Sequence, residues 1–233
     1  MTDELRLLDA PGVEIPAYLI ETYWWAYVHP AAVRIFERQW LVNSILWGQF
    51  ARLRDAALEA LAGTLARRTL QIACVYGNLT EILSRRLAPG ARLDVVDVLP
   101  IQVANLRRKL PAGAGVDVQL GNSASLAAAT ASYDQVLLFF LLHEQPAAVR
   151  RRTLAEAFRV TRPGGRIVIV DYHRPRALHP LRWLMAPLLA RLEPYALDLW
   201  RSEVTEWFPA GAAARCSKRT YFGGLYQRLV VER

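Results

Sequence analysis

Between residues 67 and 173 short apolar runs alternate with stretches of helical periodicity, and this alternation restricts the chain more than any other feature. Residues 69–76 (TLQIACVY) read as a buried strand ended by Gly77. Asn78 stands at a helix N-cap position, with Glu81 as its reciprocal partner and Leu79, Ile82, Leu83 and Leu87 on one face. Pro89-Gly90 stops that helix, and residues 92–98 (RLDVVDV) form the second strand. A helix carrying Val103, Leu106 and Leu110 follows, then a short strand over 117–120 and a fully buried one over 134–140 (DQVLLFF). The amphipathic stretch 153–160 ends at Pro163-Gly164-Gly165, and residues 166–170 make the fifth strand. Strands and helices in this order predict an α/β doubly wound, mostly parallel sheet. Residues 221–222 and 225–231, around Gly223-Gly224, predict an antiparallel hairpin on its edge.

Two zones flank this 67–173 core. Residues 1–66 read as a helical cap, with Val33, Phe36, Trp40, Ile45, Leu46 and Phe50 near helical spacing and a break at Gly48. Residues 174–233 begin as Pro-punctuated apolar helices and close in the hairpin, as an insert and edge of the same domain. A chain 53% hydrophobic and 21% charged is neither a disordered tail nor a mini-protein that needs staples. Cys74 and Cys216 cannot make a disulfide framework, which predicts a reducing, cytoplasmic setting. The start, MTDELR, has no signal-peptide pattern, and no run reaches the ~18 apolar residues of a membrane span. The net charge of +8 is carried almost wholly by arginine. No nucleic-acid-binding motif accompanies it, so the expected partner is an anionic membrane surface, met peripherally at the inner membrane. No obligate protein partner is implied.

Open parallel sheets bind ligands beyond the carboxyl ends of their strands. Here that edge predicts a cofactor site from Val75, Tyr76, Gly77, Asp97, Val98, Asn122 and Ser123. Asp97, about 20 residues after Gly77, suits a paired grip on ribose hydroxyls, or is a solvated strand-end acid. Asn122 and Ser123 read an adenine edge or make a plain turn.

These residues resemble the class I S-adenosylmethionine-dependent methyltransferases over 67–173, with a Rossmann-like sheet of seven strands. The chain departs at the first motif, where an acid, a hydrophobe and Gly-x-Gly-x-Gly are expected. Gln71 replaces the acid, Ala73 and Val75 replace two glycines, and only Gly77 remains. A second resemblance runs along nearly the whole chain. The strings TYWWAYVHPAAVRIFERQWLV, VYGNLT, DVVDVLPIQ, DQVLLFFLLHEQP and IVDYHRP look like the rhodoquinone-biosynthesis enzyme family. That resemblance implies exchange of a ubiquinone methoxy group for amino, yielding rhodoquinone, with S-adenosylmethionine as amino donor and manganese(II) assisting. The family carries acids near positions 78 and 122, where this chain has Asn78 and Asn122. The alternatives are an ordinary quinone methyltransferase and a non-catalytic quinone-binding protein.

An amino-for-methoxy exchange needs an unprotonated amine, a polarised carbonyl and excluded water. The strand ends offer His143, Glu144, Asp171 and His173 as metal ligands, with His143, Asp171 and His173 also as catalytic groups. Asp171 and His173 are two apart, so an extended backbone would aim them the same way. The competing reading makes His143 a packed imidazole and Glu144 a helix cap. Tyr23, Trp24, Trp25, Tyr27 and His29 form an aromatic cluster that is a lid over a quinone ring, with Tyr23 as a catalytic hydroxyl, or a packed helix. Residues 177–200, apolar with Trp183, Arg182 and Arg191, lie in a bilayer interface or line the pocket, or pack as core helices.

Overall fold

The computed structural model describes residues 14–61, 68–212 and 215–233. The MTDELR start, the 66/67 junction and the side chain of Tyr27 lie outside the described residues. Seven strands make one sheet: β1 (Arg68–Ile72), β2 (Arg92–Asp97), β3 (Val116–Leu120), β4 (Tyr133–Phe139), β5 (Thr161–Tyr172), β6 (Arg215–Tyr221) and β7 (Tyr226–Glu232). Their order is β3-β2-β1-β4-β5-β7-β6. β1 to β5 pair in parallel, and β7 pairs antiparallel with both β5 and β6. The hairpin is therefore present, but its second arm is inserted against β5 and only β6 is the edge. β4 is buried along its whole length, as its continuous apolar run requires at the centre of a sheet covered on both faces.

Helices fill both faces. In chain order these are α1 (Ala17–Tyr23), prolonged by a π turn over Trp24–Val28, α2 (Pro30–Phe36), α3 (Gln39–Ile45) and α4 (Phe50–Leu61). Then come α5 (Leu79–Arg85), α6 (Pro100–Lys109), α7 (Ala147–Val160), α8 (Arg182–Leu192) and the short α9 (Asp198–Arg201). α4 buries Phe50, Leu53, Ala57, Leu58 and Leu61 in the same core as the strands. Arg228 and Arg166, on β7 and β5, donate to the Ala56 and Ala60 carbonyls near its end, at 3.1 and 2.7 Å.

Three local expectations need correction. The first strand stops at Ile72, four residues early, because Ala73 adopts φ 77° and turns the chain. Asn78 makes no side-chain cap, since its Oδ1 accepts from Arg54 Nη1 at 2.9 Å. Pro163-Gly164-Gly165 lies inside β5, where the β4 partner jumps from Thr161 at Tyr133 to Arg166 at Gln135. A Cβ on Gly165 would sit 2.8 Å from the Asp134 carbonyl, so this bulge admits only glycine.

Candidate functional site

The strand order reverses between β1 and β4, and a cavity of about 510 Å³ opens at their carboxyl ends. Its floor is the loop after β1. Gln71, fully buried, spans that loop by donating to the Ala73 carbonyl at 2.9 Å and accepting from the Thr80 hydroxyl at 3.0 Å. Asp97 holds it from the other side. Its Oδ2 accepts the Cys74 amide at 2.6 Å and its Oδ1 the Leu99 amide at 2.8 Å. Burial raises the Asp97 carboxyl to about 6 against the lowering pull of those amides. Asp97 lines the cavity.

The expected cofactor residues divide. Val75, Tyr76, Asp97, Val98 and Ser123 line the cavity; Gly77 and Asn122 do not. Gly77 sits behind the loop, at φ 84°, where a Cβ would meet the Phe50 ring at 2.7 Å. It is glycine because α4 approaches it, and its carbonyl accepts from Lys109 Nζ at 2.7 Å. Asn122 closes a turn, its Oδ1 accepting the Ala124 amide at 2.9 Å. Ser123 shares a 3.0 Å hydrogen bond with Thr153 and accepts from Gln145 at 3.1 Å.

His143 and Glu144 enter on the 3₁₀ turn Leu142–Glu144 after β4, and both line the cavity. His143 is buried between the edges of Tyr172 and Phe140, and its Nε2 lies 3.8 Å from Glu144 Oε1. Asp171, fully buried, accepts the Leu142 amide through Oδ2 and the Tyr172 amide through Oδ1, both at 2.8 Å, and Oδ1 meets His143 Nδ1 at 2.9 Å. Burial works to lower the His143 imidazolium. The Asp171 charge and hydrogen bond, helped by Glu193 and Glu144, overcome this and hold it at about 9.

The expected four-ligand centre does not form. β5 ends at Tyr172, so alternation no longer governs His173. Its Nδ1 bonds the Gly224 carbonyl at 2.8 Å, and its Nε2 lies 3.3 Å from Lys218 Nζ. Among the described residues no group of three or more His, Cys, Asp or Glu is placed to hold a metal ion. Manganese therefore does not fit the residues expected to bind it. Neither Asp171 nor His173 lines the cavity.

The aromatic cluster divides as well. Tyr18, Trp25 and Ala26 line the cavity, as a wall the N-terminal helices lay over the β1 loop. The Tyr76 hydroxyl donates to the Ala26 carbonyl at 2.7 Å and accepts from Gln102 at 2.8 Å, while Phe36 stacks on the Tyr76 ring. Tyr23 is fully buried behind this wall; burial and the Glu193 carboxylate raise its phenol. His29 caps α2, accepting the Ala31 amide at 3.2 Å. Trp24 is exposed.

Two residues that sequence reading missed complete the site. Glu193, just past α8, lines the cavity; burial raises its carboxyl, against the lowering pull of the nearby His143 charge and a hydrogen bond with Tyr23. Arg150, fully buried on α7, donates Nε to the Leu142 carbonyl at 2.9 Å and Nη2 to the Gln145 and Tyr195 carbonyls at 2.9 and 3.0 Å. Its Nη1 lies 3.4 Å from Asp198. Arg150 thus locks the turn carrying His143 onto the 174–233 segment. An arginine on an otherwise apolar helix face was the available signal.

The family described as "Methyltransferase domain" matches residues 69–165. The chain is 30% identical to a demethylmenaquinone methyltransferase of Beutenbergia cavernae over 81% of its own length and 80% of that protein's. It is 29% identical to a ubiquinone/menaquinone biosynthesis C-methyltransferase of Paracoccus denitrificans, over 67% of this chain and 63% of that one. In structure it resembles human N-acetylserotonin methyltransferase in complex with S-adenosylmethionine, with a TM-score of 0.63 and 15% identity, over 99% of this chain and 64% of that one.

Proposed function

The chain belongs to the class I S-adenosylmethionine-dependent methyltransferase family, and we propose that its acceptor is the ring of a lipophilic quinone in its reduced, hydroxyl-bearing form. One observation carries this reading: a single cavity runs from Asp97 and Ser123 to His143, Glu144 and Glu193 along an apolar wall that includes Phe140, Met185 and Leu189. S-adenosylmethionine would take the Asp97 end, where a carboxylate offers paired acceptors to ribose hydroxyls and Ser123 lines the same cavity. When bound, it supplies an electrophilic methyl group.

The protein's own part lies at the other end. With Nδ1 donating to Asp171, His143 is an imidazolium at neutral pH and so a hydrogen-bond donor rather than a base. Facing a ring hydroxyl, it favours the phenolate and enriches the adjoining ring carbon. Glu144 and Glu193 are the neighbouring carboxylates that can accept the proton the ring gives up. The apolar wall excludes water from the reacting centre.

A second reading, amino transfer, is favoured by the β1 loop: the S-adenosylmethionine amine would displace methoxide, which leaves as methanol with the amine proton, and the N–Cα bond would break by hydrolysis once the quinone ring had taken two electrons from that carbon. Ala73 and Val75 line the cavity where the family has glycines, and Ala73 holds a glycine-like φ of 77°. That crowding supports another placement of the methionine amine. The deciding experiment uses S-adenosylmethionine labelled with ¹³C in the methyl and ¹⁵N in the amine, with short-tailed demethylmenaquinol and ubiquinone as acceptors. Methyl transfer gives a ¹³C product heavier by one methylene, and amino transfer gives a ¹⁵N product lacking one methoxy. No labelled product with either acceptor refutes both readings.

A further inference from the structure

Four large apolar residues both line the cavity and are exposed to solvent: Trp25, Ile45, Leu188 and Leu192. They mark its mouth. They come from segments far apart in the chain, α1–α3 and α8, which Trp47 ties together by donating Nε1–H to the Met185 sulfur at 3.2 Å. The N-terminal helices also expose Ile20, Trp24, Ile35 and Trp40, and the segment that leads into α8 and its first turn exposes Leu178, Trp183 and Leu184. Leu178 is 97% and Trp183 79% exposed, so neither is a core residue with an uncovered edge.

The exposed charge of these segments has one dominant sign. Over 14–45 and 174–193 the exposed charges are Arg34, Arg38, Arg174, Arg176 and Arg191 against Glu14 and Glu21. Tryptophan and leucine with interleaved arginine is the composition of a surface seated in the headgroup region of a bilayer. Among the described residues no helix is long and apolar enough to cross a membrane, so the contact is a lateral one.

We propose that this rim docks on an anionic lipid bilayer, with the cavity mouth opening toward the acyl region. Docking would let a lipophilic acceptor enter without crossing water; that consequence rests on the function proposed above, whereas the docking itself is read without turnover.

The experiment is flotation of the full chain with phosphatidylglycerol or phosphatidylcholine vesicles, with sedimentation velocity of the protein alone. Quenching of tryptophan by brominated lipid provides a second readout on the unaltered chain. Wild type should float with the anionic vesicles, be released by salt and be quenched. Trp183→Glu with Leu184→Glu, at exposed positions off the cavity lining, should reduce the bound fraction roughly tenfold. The proposal is overturned if wild type stays unbound at low salt, or if the double variant binds as well as wild type. It is equally overturned if this face proves to be the contact between two copies, seen as a dimer that the double variant dissociates.

Discussion

Nδ1 of His143 lies 2.9 Å from Oδ1 of Asp171, and the other oxygen of that carboxylate accepts the amide of Leu142, the residue before the histidine. Asp171 thus grips the side chain and the backbone of one turn together. The imidazole is oriented and kept charged while its other nitrogen stays beside the cavity.

His143→Ala should lower kcat by about 10²–10⁴-fold with little change in S-adenosylmethionine affinity, as loss of one acid–base group does. Asp171→Asn removes the charge that holds the imidazolium, so its pH–rate profile should move to lower pH. Stopped assays across pH check this. A profile unchanged from wild type would show that Asp171 is structural only.

The same pair makes stability depend on pH. The folded His143 value of about 9 exceeds its usual 6.5, so its contribution is complete below 6.5 and is lost as pH rises through 9. Within that window stability should fall by up to about 1.4 kcal/mol per pH unit. Urea denaturation of wild type and His143→Gln across the window tests it: only wild type should show the extra slope.

Asp97→Ala should weaken S-adenosylmethionine binding by roughly 1.5–3 kcal/mol, the scale of a hydrogen bond to a charged group. Because burial raises this carboxyl to about 6, the affinity of wild type should also decline as pH falls through that value. Titration calorimetry at several pH values reads both effects. An unaltered affinity in the variant would remove Asp97 from the cofactor site.

Arg150→Met keeps an unbranched side chain but removes the guanidinium, with its hydrogen bonds to the Leu142, Gln145 and Tyr195 carbonyls and its place over the Trp207 ring. A loss of about 3 kcal/mol is expected, the scale of one or two hydrogen bonds from a charged group, since Asp198 is a third exposed and still faces Arg201. Thermal unfolding measures the loss, and hydrogen exchange should show the Leu142–Glu144 turn opening first.

The parallel strands, their helices and the carboxyl-end position of Asp97, Ser123 and His143 were legible in the sequence. Hydrophobic periodicity is a local property, and the connection rules of a doubly wound sheet follow from it. What the alternation could not convey is which polar groups meet across strands. Asp171 pairs with His143 because β4 and β5 are neighbours, and His173 departs because the strand ends one residue before it. Gly77 looked like a cofactor glycine, yet its φ and the nearness of Phe50 come from a helix 27 residues earlier in the chain. Glu193 and Arg150 had no motif at all. Their roles depend on where α7 and the segment after α8 come to rest on the sheet, and that is decided only when distant surfaces pack.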